Sequence, residues 1–186
     1  TEEKSAEAGY AALLASSEHE KRLAGDAQLA WHAGHIEQAL RFAGDFPAHP
    51  QAGAVLTNVA EQLYASQQPE RAAQVAGLVV TMQPPVTPEL ERVAWTVMGH
   101  AQFDLANYAG AESAYVRLRG LAADPAAGRE VEGRIAASIY RQAELARADG
   151  DVDAAVADFL RIDAAAPDAD IRPSAFFDAA TLLLTS

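Results

Sequence analysis

The sequence predicts an all-α chain, an α-solenoid of about four helix pairs with flanking helices. Three observations point there. Apolar residues recur at helical spacing throughout, and no stretch alternates in the manner of a half-buried strand. Alanine supplies 44 of the 186 residues, against two Trp, five Tyr and six Phe, a mix suited to closely packed helices rather than to a sheet. A small residue returns at Ala6, Ala39, Ala72, Ala111 and Ala155, at intervals of 33, 33, 39 and 44 residues, which marks a repeated unit.

The elements follow in order. A half-unit over residues 1–18 carries Ala6, Tyr10 and Leu13. A unit over 19–51 uses Leu23, Ala27, Ala30, Ile36, Ala39 and Phe46, and Gly34 is predicted as the turn between its helices, since a left-handed C-cap favours glycine. The unit over 52–86 uses Leu56, Val59, Ala60, Leu63, Ala72, Val79 and Pro84. In the unit over 87–126, Thr87 and Pro88 read as an N-cap followed by proline at the first helical position. Trp95, Met98, Gly99 and Gln102 then mark its first helix, and Tyr108, Ala111, Tyr115 and Leu118 its second. The unit over 127–170 uses Ile139 and Ala143, a turn at Gly150, then Val152, Ala155, Phe159, Ile162 and Pro167. A strongly apolar terminal helix lies within 171–186. The two longer intervals predict insertions at residues 82–88 and 120–133, the latter around Asp124 and Pro125.

The physical logic is common to the units. Ala27, Ala60, Gly99 and Ala143 fall on first helices, and Ala39, Ala72, Ala111 and Ala155 on second helices. Small side chains there let helix axes approach within the ~8–10 Å of close packing. Tyr108, Tyr115, Val152 and Phe159 fill the space toward the next pair. No pair buries its apolar faces alone, so stacking makes the core.

The pattern of Trp95, Gly99, Tyr108, Ala111 and Tyr115, with the matching positions of the other units, resembles the tetratricopeptide repeat (TPR). The resemblance covers nearly the whole chain and implies a single array wound as a right-handed superhelix. Opening on a second helix and ending on an apolar first helix leads to the expectation that the chain is an excerpt of a longer array. In this family first helices line a concave groove that contacts ligands. Carried over, one groove position is Trp31, Tyr64, Phe103 and Arg147; a second is Gln28, Glu61, His100 and Glu144; a third includes Thr57, Thr96 and Tyr140. The chaperone-tail subclass grips a carboxylate with a Lys-Asn-Asn-Lys-Arg set that has no counterpart here, and Glu61 would repel such a ligand. The resemblance therefore implies a non-catalytic scaffold that binds a peptide or partner protein through apolar and aromatic anchors. A spacer segment in a bacterial envelope assembly is the rival reading, and it favours a bacterial periplasmic home over the cytoplasm. Self-association through Phe176, Phe177, Leu182, Leu183 and Leu184 is a third.

Composition narrows the partners. The formal net charge is −12, which repels nucleic-acid phosphates and anionic membrane surfaces. No run approaches the ~18–20 apolar residues of a membrane span. The absence of cysteine excludes thiolate chemistry and disulfides. No phosphate loop, nucleophile elbow or His-Glu-x-x-His pair is present, so neither catalysis nor a cofactor is expected. His32, His35 and His49 come nearest to a metal cluster. The predicted Gly34 turn separates the first two, however, and a further ligand would be needed to close a site. The expectation is therefore no metal.

Overall fold

A computed structural model describes residues 2–185. Among them the chain forms nine helices and no strand: α1 (Glu2–Glu20), α2 (Gly25–Asp45), α3 (Ala52–Ala65), α4 (Pro69–Val80), α5 (Pro88–Asp104), α6 (Tyr108–Arg119), α7 (Pro125–Ala148), α8 (Val152–Ala165) and α9 (Arg172–Thr185). They gather into two compact units, Thr1–Ala94 and Trp95–Ser186.

In the first unit α1 packs on α2, α2 on α3 and α3 on α4. Ile36, Ala39, Phe42, Val59, Ala60, Leu63, Ala72 and Val79 are buried. Gly9 lets α1 approach α2 closely, because a Cβ there would stand 3.2 Å from the Phe42 ring. Residues 81–87, which hold most of one predicted insertion, connect α4 to α5. Their Val86 lies so close to Gly53 of α3 that a Cβ on Gly53 would meet it at 2.7 Å.

The predicted turn at Gly34 is absent. α2 runs unbroken through it, and its first ten residues, Ala27 and Ala30 among them, bury little. A single glycine weakens a helix by about 1 kcal/mol relative to alanine, and the neighbouring alanines offset that. No Ser, Thr, Asp or Asn follows Gly34 closely to cap a new helix. Gly150 differs in this respect. It adopts φ +81°, and Asp151 beside it accepts from the Ala154 amide at 3.0 Å to start α8. A glycine ends a helix when the next residue can begin another. Gly34→Ala, whose Cβ meets nothing within 4 Å, is expected to raise stability by about 1 kcal/mol. Gly150→Ala is expected to lower it by about 1–2 kcal/mol, through its left-handed backbone. Urea titrations of the two variants would check both signs.

In the second unit α6 packs on α7, α7 on α8 and α8 on α9. Its core joins Tyr115, Leu118, Ile135, Ile139, Phe159 and Ile162 with the alanines Ala111, Ala136, Ala143, Ala175 and Ala179. The Asp124 carboxylate accepts from the Ala126 and Ala127 amides, both at 2.9 Å, with Pro125 at the first helical position. The insertion predicted over 120–133 is thus a short turn followed by extra turns of α7 rather than a loop. Glu112 of α6 accepts from Gln142 of α7 at 2.7 Å and from both Arg161 terminal nitrogens of α8, at 2.5 and 3.0 Å. Burial raises the Glu112 pKa, but these bonds outweigh it and leave it below its usual value. The network holds three helices in register.

α9 turns its small residues inward and its large ones outward. Ala175 and Ala179 are buried, whereas Phe177, Leu183 and Leu184 are exposed, Phe177 at 72%. Of the five residues expected to form a self-association patch, Leu182 packs partly against the core of its own unit. Phe176 stands under Arg172, whose guanidinium carbon lies 5.8 Å from the ring centroid.

Candidate functional site

In the first unit the expected groove residues do not form a common set. Trp31 and Gln28 lie on α2, the second helix of the α1–α2 hairpin, whereas Glu61 and Tyr64 lie on α3. The equivalence with Tyr64 assumed a first helix for Trp31, and that assignment depended on the missing Gly34 turn. Trp31 fastens α2 to α1: its Nε1 donates to the Ser16 carbonyl at 3.0 Å, and its ring lies 4.4 Å from His19. Thr57 is buried, and its hydroxyl donates to the Gly53 carbonyl at 2.8 Å, so it belongs to the core. Glu61 and Gln28 are exposed and Tyr64 is half-buried.

The three candidate histidines each contact other side chains of the first unit. With α2 continuous, His32 and His35 share its inner side, but His32 meets Glu20 at 2.7 Å and His35 meets the Ser16 hydroxyl at 3.1 Å. His49 is enclosed by the rings of Tyr10 and Phe42, at 5.4 and 5.1 Å, and its Nδ1 accepts from the Gln51 amide at 3.2 Å. Among the described residues no group of three His, Cys, Asp or Glu is arranged to hold a metal ion.

In the second unit, Thr96, His100 and Phe103 lie on α5 and are half-buried. The Phe103 ring meets Tyr108 edge-on at 5.1 Å and packs against the core. His100 stands 5.9 Å from the Tyr115 ring. Burial, then Arg134, pushes its pKa below the ordinary 6.5. Burial likewise lowers His35, against the pull of Glu20. Both imidazoles stay neutral in the fold to lower pH than in the unfolded chain. Above pH 6.5 they cost nothing. As pH falls through 6.5 toward their depressed values, the unfolded chain binds more protons and stability drops. Thermal melts across that window should show Tm falling, and His35→Gln with His100→Gln should flatten the fall.

α7 carries the densest set of expected residues. Tyr140, Glu144 and Arg147 follow one another at spacings of four and three, which places them on one helical face. Tyr140 packs edge-on against Phe159 at 5.0 Å, and its hydroxyl donates to the Asp178 carboxylate of α9. That hydrogen bond first, and burial second, push the hydroxyl pKa up to about 12. Glu144 accepts from Arg141 at 2.6 Å and lies 3.7 Å from Arg147. Arg141 also donates from Nε and Nη2 to the Tyr108 hydroxyl, at 3.3 and 3.2 Å. A shallow pocket of about 470 Å³ opens between α7 and α9, lined by Tyr140, Pro173, Ser174, Phe177 and Asp178. Arg141, Tyr108 and Asp178 were not among the expected site residues. Asp178 is 38 residues from Tyr140, and no periodicity connects the two.

The surface at the α7–α9 pocket combines apolar and polar groups. It offers an exposed ring, a carboxylate, hydroxyls and tethered guanidinium groups. No protein-family model matches this chain, and a comparison with curated proteins finds no similar sequence.

Proposed function

We propose that the chain is a non-catalytic scaffold of the TPR type that binds a peptide or partner protein on the α7–α9 face of its second unit. Tyr140, Glu144, Arg147 and Phe177 are the contact residues. One observation carries the reading. Phe177 is 72% exposed and lines the same pocket as Tyr140 and Asp178, so apolar area and polar groups converge where a ligand side chain fits. The repeat character draws support from the helix hairpins and from the contact of Gly99 with Tyr115, a small residue facing a large one as the pattern requires. Self-association through α9 is the second reading, favoured by the exposure of Leu183 and Leu184 at 61% and 87%.

The test is capture from a lysate of the source cell by the immobilised chain. Phe177→Ser with Arg147→Ala should lose the discrete partner that the unaltered chain retains, with circular dichroism unchanged. Tyr64→Ala in the first unit should retain it. Equal capture by the α7–α9 variant contradicts the reading. Recovery of the chain itself, with mass rising with concentration, would shift it to self-association.

A further inference from the structure

We propose that the pocket between α7 and α9 receives a cationic side chain, lysine or arginine, of the bound segment. This rests on the peptide-binding reading above and adds the chemistry of the ligand. The Asp178 carboxylate is half-buried, and the Tyr140 hydroxyl is hydrogen-bonded to its Oδ2, leaving Oδ1 to accept from a ligand. Among the described residues no lysine, arginine or histidine stands within ion-pair distance of it. Arginines of α7, α8 and α9 are engaged elsewhere: Arg141 and Arg147 with Glu144, Arg161 with Glu112 and Asp158, and Arg172 with Asp163 at 2.8 Å.

A half-buried carboxylate bonded to one neutral hydroxyl keeps most of its charge uncompensated, and partial burial weakens solvent screening. Phe177 supplies a ring for a cation to lie against, with Tyr140 beside it. The wider field has the same sign. Residues 95–186 hold fourteen carboxylates against eight arginines and no lysine. A basic segment is drawn in, and an acidic one is repelled.

The experiment pans a displayed random-peptide library on the full chain and on Asp178→Asn. Asparagine keeps an acceptor for the Tyr140 hydroxyl and removes only the charge. The proposal expects one lysine or arginine shared by the peptides selected on the unaltered chain. Asp178→Asn should weaken the best such peptide about tenfold, and exchanging that residue for methionine should weaken it as much. The two changes together should cost no more than either alone, and added salt should weaken binding. Tyr140→Phe should keep the basic preference. Selected peptides with no basic preference, or a preference untouched by Asp178→Asn, overturn the cation pocket while peptide binding stands. A library that yields no binder overturns the peptide-binding reading and this inference with it.

Discussion

Phe159→Ala is expected to lower the stability of the second unit by about 3–5 kcal/mol. The ring is 1% exposed and sits at the centre of the core shared by α7, α8 and α9. Truncation removes its edge-on contact with Tyr140 and leaves a void in the core cluster that also holds Ile139 and Ile162. A cavity in a core of buried side chains adds its own cost to the lost transfer energy. A second effect follows. Tyr140 loses the surface it rests against, and its bond to Asp178 loosens, so the α7–α9 pocket loses its shape before the unit unfolds. Denaturant melts followed by far-ultraviolet circular dichroism would measure the first effect. A loss of less than about 1 kcal/mol would contradict the assigned core.

Gly99→Val is expected to cost about 1–3 kcal/mol, for the opposite reason. Gly99 lies inside α5, where another side chain would ordinarily strengthen the helix. A Cβ there would stand 2.4 Å from Tyr115 Cε1 and 2.7 Å from Cδ1. The Tyr115 ring is 2% exposed and has nowhere to turn, so α5 or α6 must shift. Gly99→Ala, with a single added carbon, should be less harmful. Tyr115→Leu should partly rescue Gly99→Val by opening the contact. Thermal melts of the single and double variants would read that coupling. Additive losses would contradict the close approach.

The helices were legible wherever the sequence carried both a stop and a start. Gly150, expected as a turn, follows the end of α7, and Asp151 beside it caps α8, whereas Asp124 with Pro125, read only as part of an insertion, starts α7. The small residues at Ala60, Ala72, Gly99, Ala111, Ala143 and Ala155 are buried, because a repeat that packs helix on helix admits little volume there. Gly34 misled because glycine alone is a weak stop. With its turn went the placement of Trp31 on a first helix, and the expected position of Ala27, which is exposed. The surface was less legible than the core. Thr57 fits a groove position by spacing, yet its hydroxyl is satisfied within α3 and it is buried. Phe103 rests on Tyr108. Tyr140 and Arg147 were expected on the binding face, but the partner that gives Tyr140 its character, Asp178, belongs to a helix singled out only for its apolar residues. Spacing along one helix reports which residues share a face. It does not report which side chains from two helices meet.

A partner bound on the α7–α9 face of the second unit would shield that face and leave the first unit as it is. The most direct measurement is hydrogen–deuterium exchange of the whole chain with and without the captured partner. Exchange should slow in α7 around Tyr140 to Arg147 and along α9, while α1 to α4 keep their rates. Slowing confined to the first unit, or present in α6 and α8 with α7 and α9 unchanged, would contradict the account.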